Sequence, residues 1–114
     1  YNSPMEEKDL QWRGSSYKDL LSFPDESRRD AGYQLGFVQL GFEPSDWKPM
    51  SSIGQGVKEL RIHVEGEFRV LYIAKYEEAI YVLHAFQKKT QKTPKKDIDI
   101  AKTRFRELER ERKI

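Results

Sequence analysis

The sequence predicts an α+β protein in which a small antiparallel sheet is covered by two N-terminal helices and a C-terminal helix. The chain has 114 residues, which is enough for one domain. Its composition, 37% apolar and 35% charged, is typical of one compact core beneath a charged surface. Strand-like and helix-like periodicities occupy separate stretches of the chain, which is typical of an α+β fold.

The N-terminal third predicts one strand followed by two helices. Residues 10–13 read as a short strand that ends at Gly14. Residues 15–16 are both serine and offer an N-cap for one or two helical turns. A second helix is expected to begin near Pro24 and to end at Gly41, because proline suits the first helical position and glycine the position after the last.

The middle of the chain predicts a three-stranded meander after a loop at residues 43–56. Residues 57–64 alternate between apolar and polar side chains, as a half-buried strand does. Residues 67–75 and 79–86 are apolar on both faces, which indicates central strands. A lysine-rich loop then leads to a final helix, which is expected to begin at Thr93-Pro94 and to run to about residue 110.

Residues 5–114 are expected to form the single domain. Residues 1–4 precede Met5 and are interpreted as a cloning remnant outside the fold. No apolar run reaches the ~20 residues that a membrane span needs, and the acidic N-terminus does not suit a secretory signal. Because the chain has no cysteine, disulfides and thiolate metal sites are excluded, and a cytoplasmic location is expected.

Charge is distributed unevenly along the chain. Residues 1–83 hold 10 Lys/Arg and 14 Asp/Glu, whereas residues 84–114 hold 11 Lys/Arg and 5 Asp/Glu. Between His84 and Lys96 there are five lysines and no acid. Such asymmetry indicates a polyanionic partner such as a nucleic acid, although a solvated helix after a lysine-rich loop would give the same pattern.

No standard catalytic or nucleotide-binding motif is present, neither a Walker loop nor GxGxxG nor HExxH. His63 and His84, the only two histidines, lie on separate predicted strands without carboxylates at metal-ligand spacing. We therefore expect no metal and no other cofactor.

Basic and aromatic side chains on the predicted sheet are the candidate site. Arg61 and His63 lie on the polar face of the first meander strand, and Arg69 interrupts an apolar strand. An arginine there needs an anionic partner, which is either a carboxylate such as Glu59 or a phosphate. His84 ends the last strand and could transfer protons or be structural.

The candidate RNA-binding residues extend from that strand into the last helix. Phe86 is interpreted as a core residue whose ring could instead stack on a base. A phosphate near the start of the last helix could be held by Lys88, Lys89, Lys92, Lys95 and Lys96. Cations in a first helical turn are locally unfavourable, which points to a function there, although charge that keeps a loop soluble is the alternative.

Metal-free RNA cleavage is chemically compatible with this set. The 2′-hydroxyl attacks the adjacent phosphorus, which requires a base, a cation for the developing charge and an acid for the leaving oxygen. Arginine and lysine can stabilise the charge, and a histidine or a lysine of lowered pKa can move the proton. Which of them is the base stays open.

Several segments together resemble the phage-derived HigB-like toxins, a branch of the RelE/ParE superfamily. The most specific is His-Ala-Phe-Gln-Lys-Lys-Thr-Gln-Lys-Thr-Pro at residues 84–94. The others are at residues 12–16, 23–24, 48–50, 54–57, 59–61 and 68–72, so the resemblance covers nearly the whole chain from Met5. The basic start of the last helix departs from the usual pattern.

The resemblance implies a RelE/ParE-like sheet with helices on one side of it. It implies the toxin of a type II toxin–antitoxin system, which cuts mRNA on the small ribosomal subunit and is restrained by a helix-turn-helix antitoxin, similar to HigA. By the same resemblance, Arg61, Arg69, His84 and residues 88–92 would lie at or near the RNA-binding concavity. The candidate catalytic residues are Arg61, Arg69, His84, Lys88 and Lys89. A ParE-like gyrase inhibitor and a non-catalytic protein-interaction domain are the alternatives, since fold does not settle function.

Overall fold

The computed structural model describes residues 6–113, so the interpretation of residues 1–4 lies outside the described part. The strands are β1 (Asp9–Trp12), β2 (Trp47–Pro49), β3 (Val57–Ile62), β4 (Phe68–Ile73) and β5 (Ala79–Gln87). The helices are α1 (Ser16–Leu21), α2 (Asp25–Gln39) and α3 (Lys95–Arg112). None of the described helices has the length and apolar character needed to cross a membrane.

The five strands form one sheet in the order β1-β5-β4-β3-β2. The pairs β2–β3, β3–β4 and β4–β5 are antiparallel, whereas β1 pairs with β5 in parallel. The α+β prediction is therefore confirmed, with one parallel pair in the sheet. β4 and β5, whose sequences are apolar on both faces, occupy the centre as expected.

The helices cover both faces of the sheet, and the expectation of helices on one side is wrong. On one face, Leu20 of α1 and Leu35 of α2 pack with Leu60, Ile62 and other residues of the sheet. On the opposite face, Ala101, Phe105 and Leu108 of α3 pack with a second set of strand residues. The sheet is thus the middle layer of three, and its edge strands β1 and β2 are partly exposed.

A β-bulge in the β4–β5 pair decides which side chains face α3. Leu71 pairs with His84 and Tyr72 with Val82, so Leu83 is an extra residue on β5. Strict alternation from Val82 would turn His84 and Phe86 towards α1 and α2. The extra residue shifts the alternation by one, so that both side chains face α3. Bulges near functional sites often redirect side chains in this way.

Two local features differ from the sequence prediction. The loop predicted at residues 43–56 contains the short edge strand β2, whose three residues lack a clear alternation. Thr93 does not cap α3, since Pro94 is the N-cap residue and no side-chain cap bond is present. The Thr93 hydroxyl instead donates a hydrogen bond to Glu59.

Close packing of the 50–56 loop on α3 gives a first testable prediction. A Cβ atom at Gly54 would lie 2.4 Å from the buried Phe105 ring, whereas nothing lies within 4 Å of a Cβ at Gly32 in α2. We expect Gly54→Ala to lower the free energy of unfolding by about 1–3 kcal/mol through overpacking. Gly32→Ala, the matched control, should raise it by up to about 1 kcal/mol through helix propensity.

Urea denaturation of both variants measures these changes. Equal stability of Gly54→Ala and Gly32→Ala would contradict the close contact between the loop and α3.

Candidate nucleic-acid interface

A buried carboxylate gathers three cations on the α3 side of the sheet. Glu59 of β3 is fully buried. Its Oε1 atom lies 3.5 Å from Arg61 Nε, 3.8 Å from Arg69 Nε and 3.9 Å from Lys48 Nζ. Its Oε2 atom accepts a hydrogen bond of 3.2 Å from the hydroxyl of Thr93, just before α3. We name Lys48, Arg61 and Arg69 the cation cluster.

Strand register explains why these residues meet. Lys48 of β2 is the cross-strand partner of Glu59, and Arg61 of β3 is the partner of Arg69 on β4. Residues directly opposite on neighbouring strands have Cβ atoms about 5 Å apart, within reach of long side chains. Two arginines opposite each other repel, and the carboxylate next to them offsets that repulsion.

Arg69 is the most buried member of the cation cluster, at 5% exposure. Its Nη1 donates to the backbone oxygen of Phe68 at 2.9 Å and its Nη2 to Glu67 Oε1 at 3.0 Å. Its Nε has no hydrogen-bond partner among the described residues. The carboxylate partners that the sequence left as one alternative are therefore present, and Glu67 is nearer than Glu59.

His63 extends the network towards solvent. Its Nδ1 lies 2.9 Å from Glu67 and its Nε2 lies 2.6 Å from Asp46, whose other oxygen is 3.9 Å from Arg61 Nη1. These two carboxylates, Asp46 first, raise the pKa of His63 above its ordinary 6.5. His63 in turn lowers the pKa of Glu67, with a smaller contribution from Arg69. The carboxylates balance much of the positive charge here. Lys48 and Arg61 remain partly exposed, so a ligand can reach their side chains.

His84 and Asp97 form a second, buried pair. The Nε2 atom of His84 lies 2.7 Å from Asp97 Oδ1, and each residue is only 5% exposed. Burial lowers the pKa of His84 below 6.5, although the bond to Asp97 opposes this shift. At neutral pH the ring is therefore neutral, with Nε2–H donating to Asp97. Nδ1 is buried and has no partner among the described residues.

Phe86 is buried, as the core interpretation predicts, and packs with the α3 side of the core. Its ring stacks on His84, with centroids 5.2 Å apart and planes 18° apart. It also pairs across the strands with Arg69. The bulge and the register thus bring Phe86 next to Arg69 of the cation cluster, with His84 stacked on Phe86.

The five lysines differ in their surroundings. Lys88 is half-buried, and its backbone N–H donates a hydrogen bond to the Glu67 backbone oxygen. Lys89 and Lys92 are exposed in the loop. The Lys95 ammonium donates to Asp99 at 2.7 Å, so it is already engaged. Lys96 lines a cavity beside His84.

Sequence reasoning missed Asp97, Lys48 and Thr93 as members of the site. An acid in the first turn of a helix is a favourable placement, and Asp97 could have been noticed on that ground. Nothing local indicated that Lys48 and Thr93 would reach Glu59. Both histidines also have carboxylate neighbours that their sequence spacing did not reveal. Within residues 6–113, no group of three or more His, Asp or Glu side chains is placed to hold a metal ion.

Comparison with known proteins identifies a family and a similar solved structure. The model of the family described as "Phage derived protein Gp49-like" matches residues 18–106. A chain in the crystal structure of the toxin–antitoxin complex RelBE2 from Mycobacterium tuberculosis superposes with a TM-score of 0.51 at 21% identity. That match covers 78% of this chain and all of the other, and it shows a shared fold. No curated protein matches the sequence significantly.

The raised pKa of His63 gives a prediction on pH-dependent stability. A histidine whose folded-state pKa lies above its unfolded value of 6.5 adds stability that is fully present below pH 6.5. That contribution is lost as pH rises through the folded-state pKa. We therefore expect His63→Gln to lower the free energy of unfolding more at about pH 5.5 than at about pH 8.5.

Urea denaturation of the protein and the variant at both pH values measures this difference. Because His84 titrates in both proteins, its opposite contribution cancels in the comparison. If His63→Gln lowers the free energy of unfolding equally at the two pH values, or more at the higher one, the protonated His63 is not stabilised by Asp46 and Glu67.

Proposed function

The chain belongs to the phage-derived Gp49-like protein family, and from that premise and the geometry of the site we propose that it is the toxin of a type II toxin–antitoxin system. Its activity would be metal-independent endonucleolytic cleavage of mRNA on the ribosome. The cation cluster around Glu59 is the observation that carries this proposal. A similar fold occurs in a toxin–antitoxin complex, which supports the biological role.

The cation cluster suits a phosphodiester for a physical reason. Arg61 and Lys48 have 30% and 42% of their side chains exposed, while the buried Glu59 holds their inner sides. A phosphate that approaches from solvent would meet cations already fixed in position, so little reorganisation is needed. A guanidinium can also bind two phosphate oxygens at once.

In the reaction that we propose, a 2′-hydroxyl oxygen attacks the adjacent phosphorus, and the bond from phosphorus to the next nucleotide's 5′-oxygen breaks. The products are a 2′,3′-cyclic phosphate and a 5′-hydroxyl. One proton leaves the 2′-hydroxyl and one reaches the 5′-oxygen. Arg61 and Arg69 would stabilise the negative charge on the pentacoordinate phosphorus, usually the largest contribution to such catalysis.

The candidates for the two proton transfers are His84, Lys88 and Lys89. His84 is neutral at physiological pH and keeps an unshared Nδ1 lone pair, which suits a base. That atom is buried, so the ring would have to turn or its cover would have to move before substrate reached it. Lys88 follows directly from β5 and would act as the cation or acid near the leaving oxygen.

The partners follow from the same proposal. The substrate is mRNA in the decoding site of the small ribosomal subunit, a dense polyanion that matches the basic C-terminal third. A helix-turn-helix antitoxin, similar to HigA, would restrain the toxin in the cytoplasm. His63, Phe86, Lys92, Lys95 and Lys96 would contribute to RNA binding.

The experiment that tests this function maps RNA ends in cells after a short induction. We expect new 5′-hydroxyl ends within translated regions. Arg61→Ala should reduce cleavage about 10²–10³-fold, as loss of a charge-stabilising group does. The triple change Lys88/Lys89/Lys92→Ala should also abolish it. Arg29→Ala on α2, where the arginine pairs with Glu26, is the matched control and should cleave normally.

Melting curves establish that each variant is folded. Intact transcripts in growth-arrested cells would overturn the nuclease proposal and favour a gyrase inhibitor. Intact transcripts in cells that grow normally would leave a protein-interaction domain. Cleavage that survives Arg61→Ala would remove the cation cluster from the mechanism.

A further inference from the structure

A cavity of about 530 Å³ opens beside β5, between the end of α1 and the start of α3. Its volume falls within the ~300–1,000 Å³ of small-molecule sites. Apolar and polar groups line it in similar measure: Phe23, Phe68, Phe86 and Ile100 are among the apolar residues, and Asp19 and Asp97 are its acids. Its polar groups include Lys96, which makes no side-chain hydrogen bond among the described residues, and the buried His84.

One side of this cavity is an uncovered strand edge. β1 pairs with β5 only as far as Val82, so no described strand covers β5 from His84 to Gln87. The Lys88 N–H donates to the Glu67 oxygen, which fixes the alternation of the β4–β5 ladder. In an antiparallel pair, every second residue directs its backbone N–H and C=O towards the neighbouring strand. Because Lys88 does so towards β4, the N–H and C=O groups of Ala85 and Gln87 point away from β4 and towards the cavity.

These backbone groups lack partners in the described chain. The Val82 oxygen is used by the Arg13 N–H and by the Ser16 hydroxyl, and the Leu83 oxygen accepts from Arg104. No comparable bond reaches Ala85 or Gln87. The cavity therefore offers donors and acceptors at fixed spacing next to aromatic rings.

The cavity also adjoins the cation cluster. Phe86, on the cavity wall, is the cross-strand partner of Arg69, and Phe68 accepts a hydrogen bond from the Arg69 side chain through its backbone oxygen. Neighbouring strands lie about 4.8 Å apart. Arg69 thus lies one strand from the cavity wall and the partly exposed Arg61 two strands, about 10 Å, a separation that a dinucleotide can bridge between a phosphate on Arg61 and a base in the cavity.

We propose that this cavity binds one unstacked base of a single-stranded RNA whose phosphate lies on the cation cluster. The proposal rests on the proposed function and adds a base subsite to it. Proteins that recognise single-stranded RNA stack splayed bases on aromatic rings and bond the base edges. Ala85 and Gln87 supply the bonding groups, the rings supply apolar contact, and Lys96 lies where the attached backbone would pass.

Affinity for short RNAs that resist cleavage tests this subsite. The probes are a 2′-O-methyl trinucleotide and the same trinucleotide without its central base, each measured by titration calorimetry. We expect the intact trinucleotide to bind about tenfold more tightly, which is within the range of base–aromatic stacking. In NMR spectra, the amide signals of Ala85 and Gln87 should shift with the intact probe and stay in place with the abasic one.

Two variants fill the cavity from opposite walls. Ser22→Trp starts from an exposed position at the end of α1, and Ile100→Trp from α3. Either should bind both trinucleotides equally and leave the affinity for the abasic probe unchanged. Thr103→Trp, at an exposed position of α3 that does not line this cavity, is the matched control and should keep the tenfold preference.

Equal binding of the two trinucleotides by the unmodified protein would overturn the base subsite, and so would a preference that survives both cavity-filling variants. Amide shifts of Ala85 and Gln87 with an acidic extended peptide, and none with RNA, would assign the edge to a protein partner instead. A base preference in a protein that leaves cellular transcripts intact would uphold the subsite while refuting the proposed nuclease.

Discussion

Glu59 carries its carboxylate into the protein interior, and much of the site's arrangement follows from how that charge is compensated. A buried carboxylate is stable only when cations or hydrogen-bond donors surround it. Here the compensation comes from β2, β3, β4 and the segment before α3, through Lys48, Arg61, Arg69 and Thr93. Four separate parts of the chain are therefore bound to one side chain, and three cations become fixed at one end of the sheet.

The second constraint is the bulge at Leu83, which turns His84 and Phe86 towards α3. His84 then contacts Asp97 in the first turn of that helix. Further along α3, the Arg104 side chain donates a hydrogen bond to the backbone oxygen of Leu83. These contacts fasten α3 across β5. The position of the buried imidazole is thus a consequence of one inserted residue, whereas the open strand edge follows from the end of β1 at Trp12.

Much of the fold could be predicted from local patterns. The apolar stretches of β4 and β5, the Pro24 start of α2 and the apolar stripe of α3 all correspond to observed elements. The edge strand β2 could not, because its three residues are held by pairing with β3 and by no pattern of their own. The bulge was equally hidden, since β5 is apolar on both faces and a one-residue shift leaves that pattern unchanged.

The site was predicted only in part for the same reason. Arg69 stands out because it interrupts an apolar strand, Arg61 because it lies on the polar face of its strand, and His84 because it ends the last strand. Each lies in a network of buried or half-buried charges. Asp97 and Lys48 join those networks through tertiary contacts that no sequence spacing encodes. The lysines of the loop and first turn were the strongest sequence signal. Lys89 and Lys92 are exposed and Lys95 pairs with Asp99, and the part of these lysines in RNA binding stays a prediction.

The most direct test is a crystal structure with a short RNA whose 2′-oxygen is methylated at the scissile position, so that the attack cannot occur. We predict a phosphate oxygen within hydrogen-bond distance of Arg61 and Lys48, with Glu59 still in contact with both. A phosphate bound only along Lys88–Lys96, with the Glu59 cluster untouched, would contradict the claim that this carboxylate assembles the RNA-binding site.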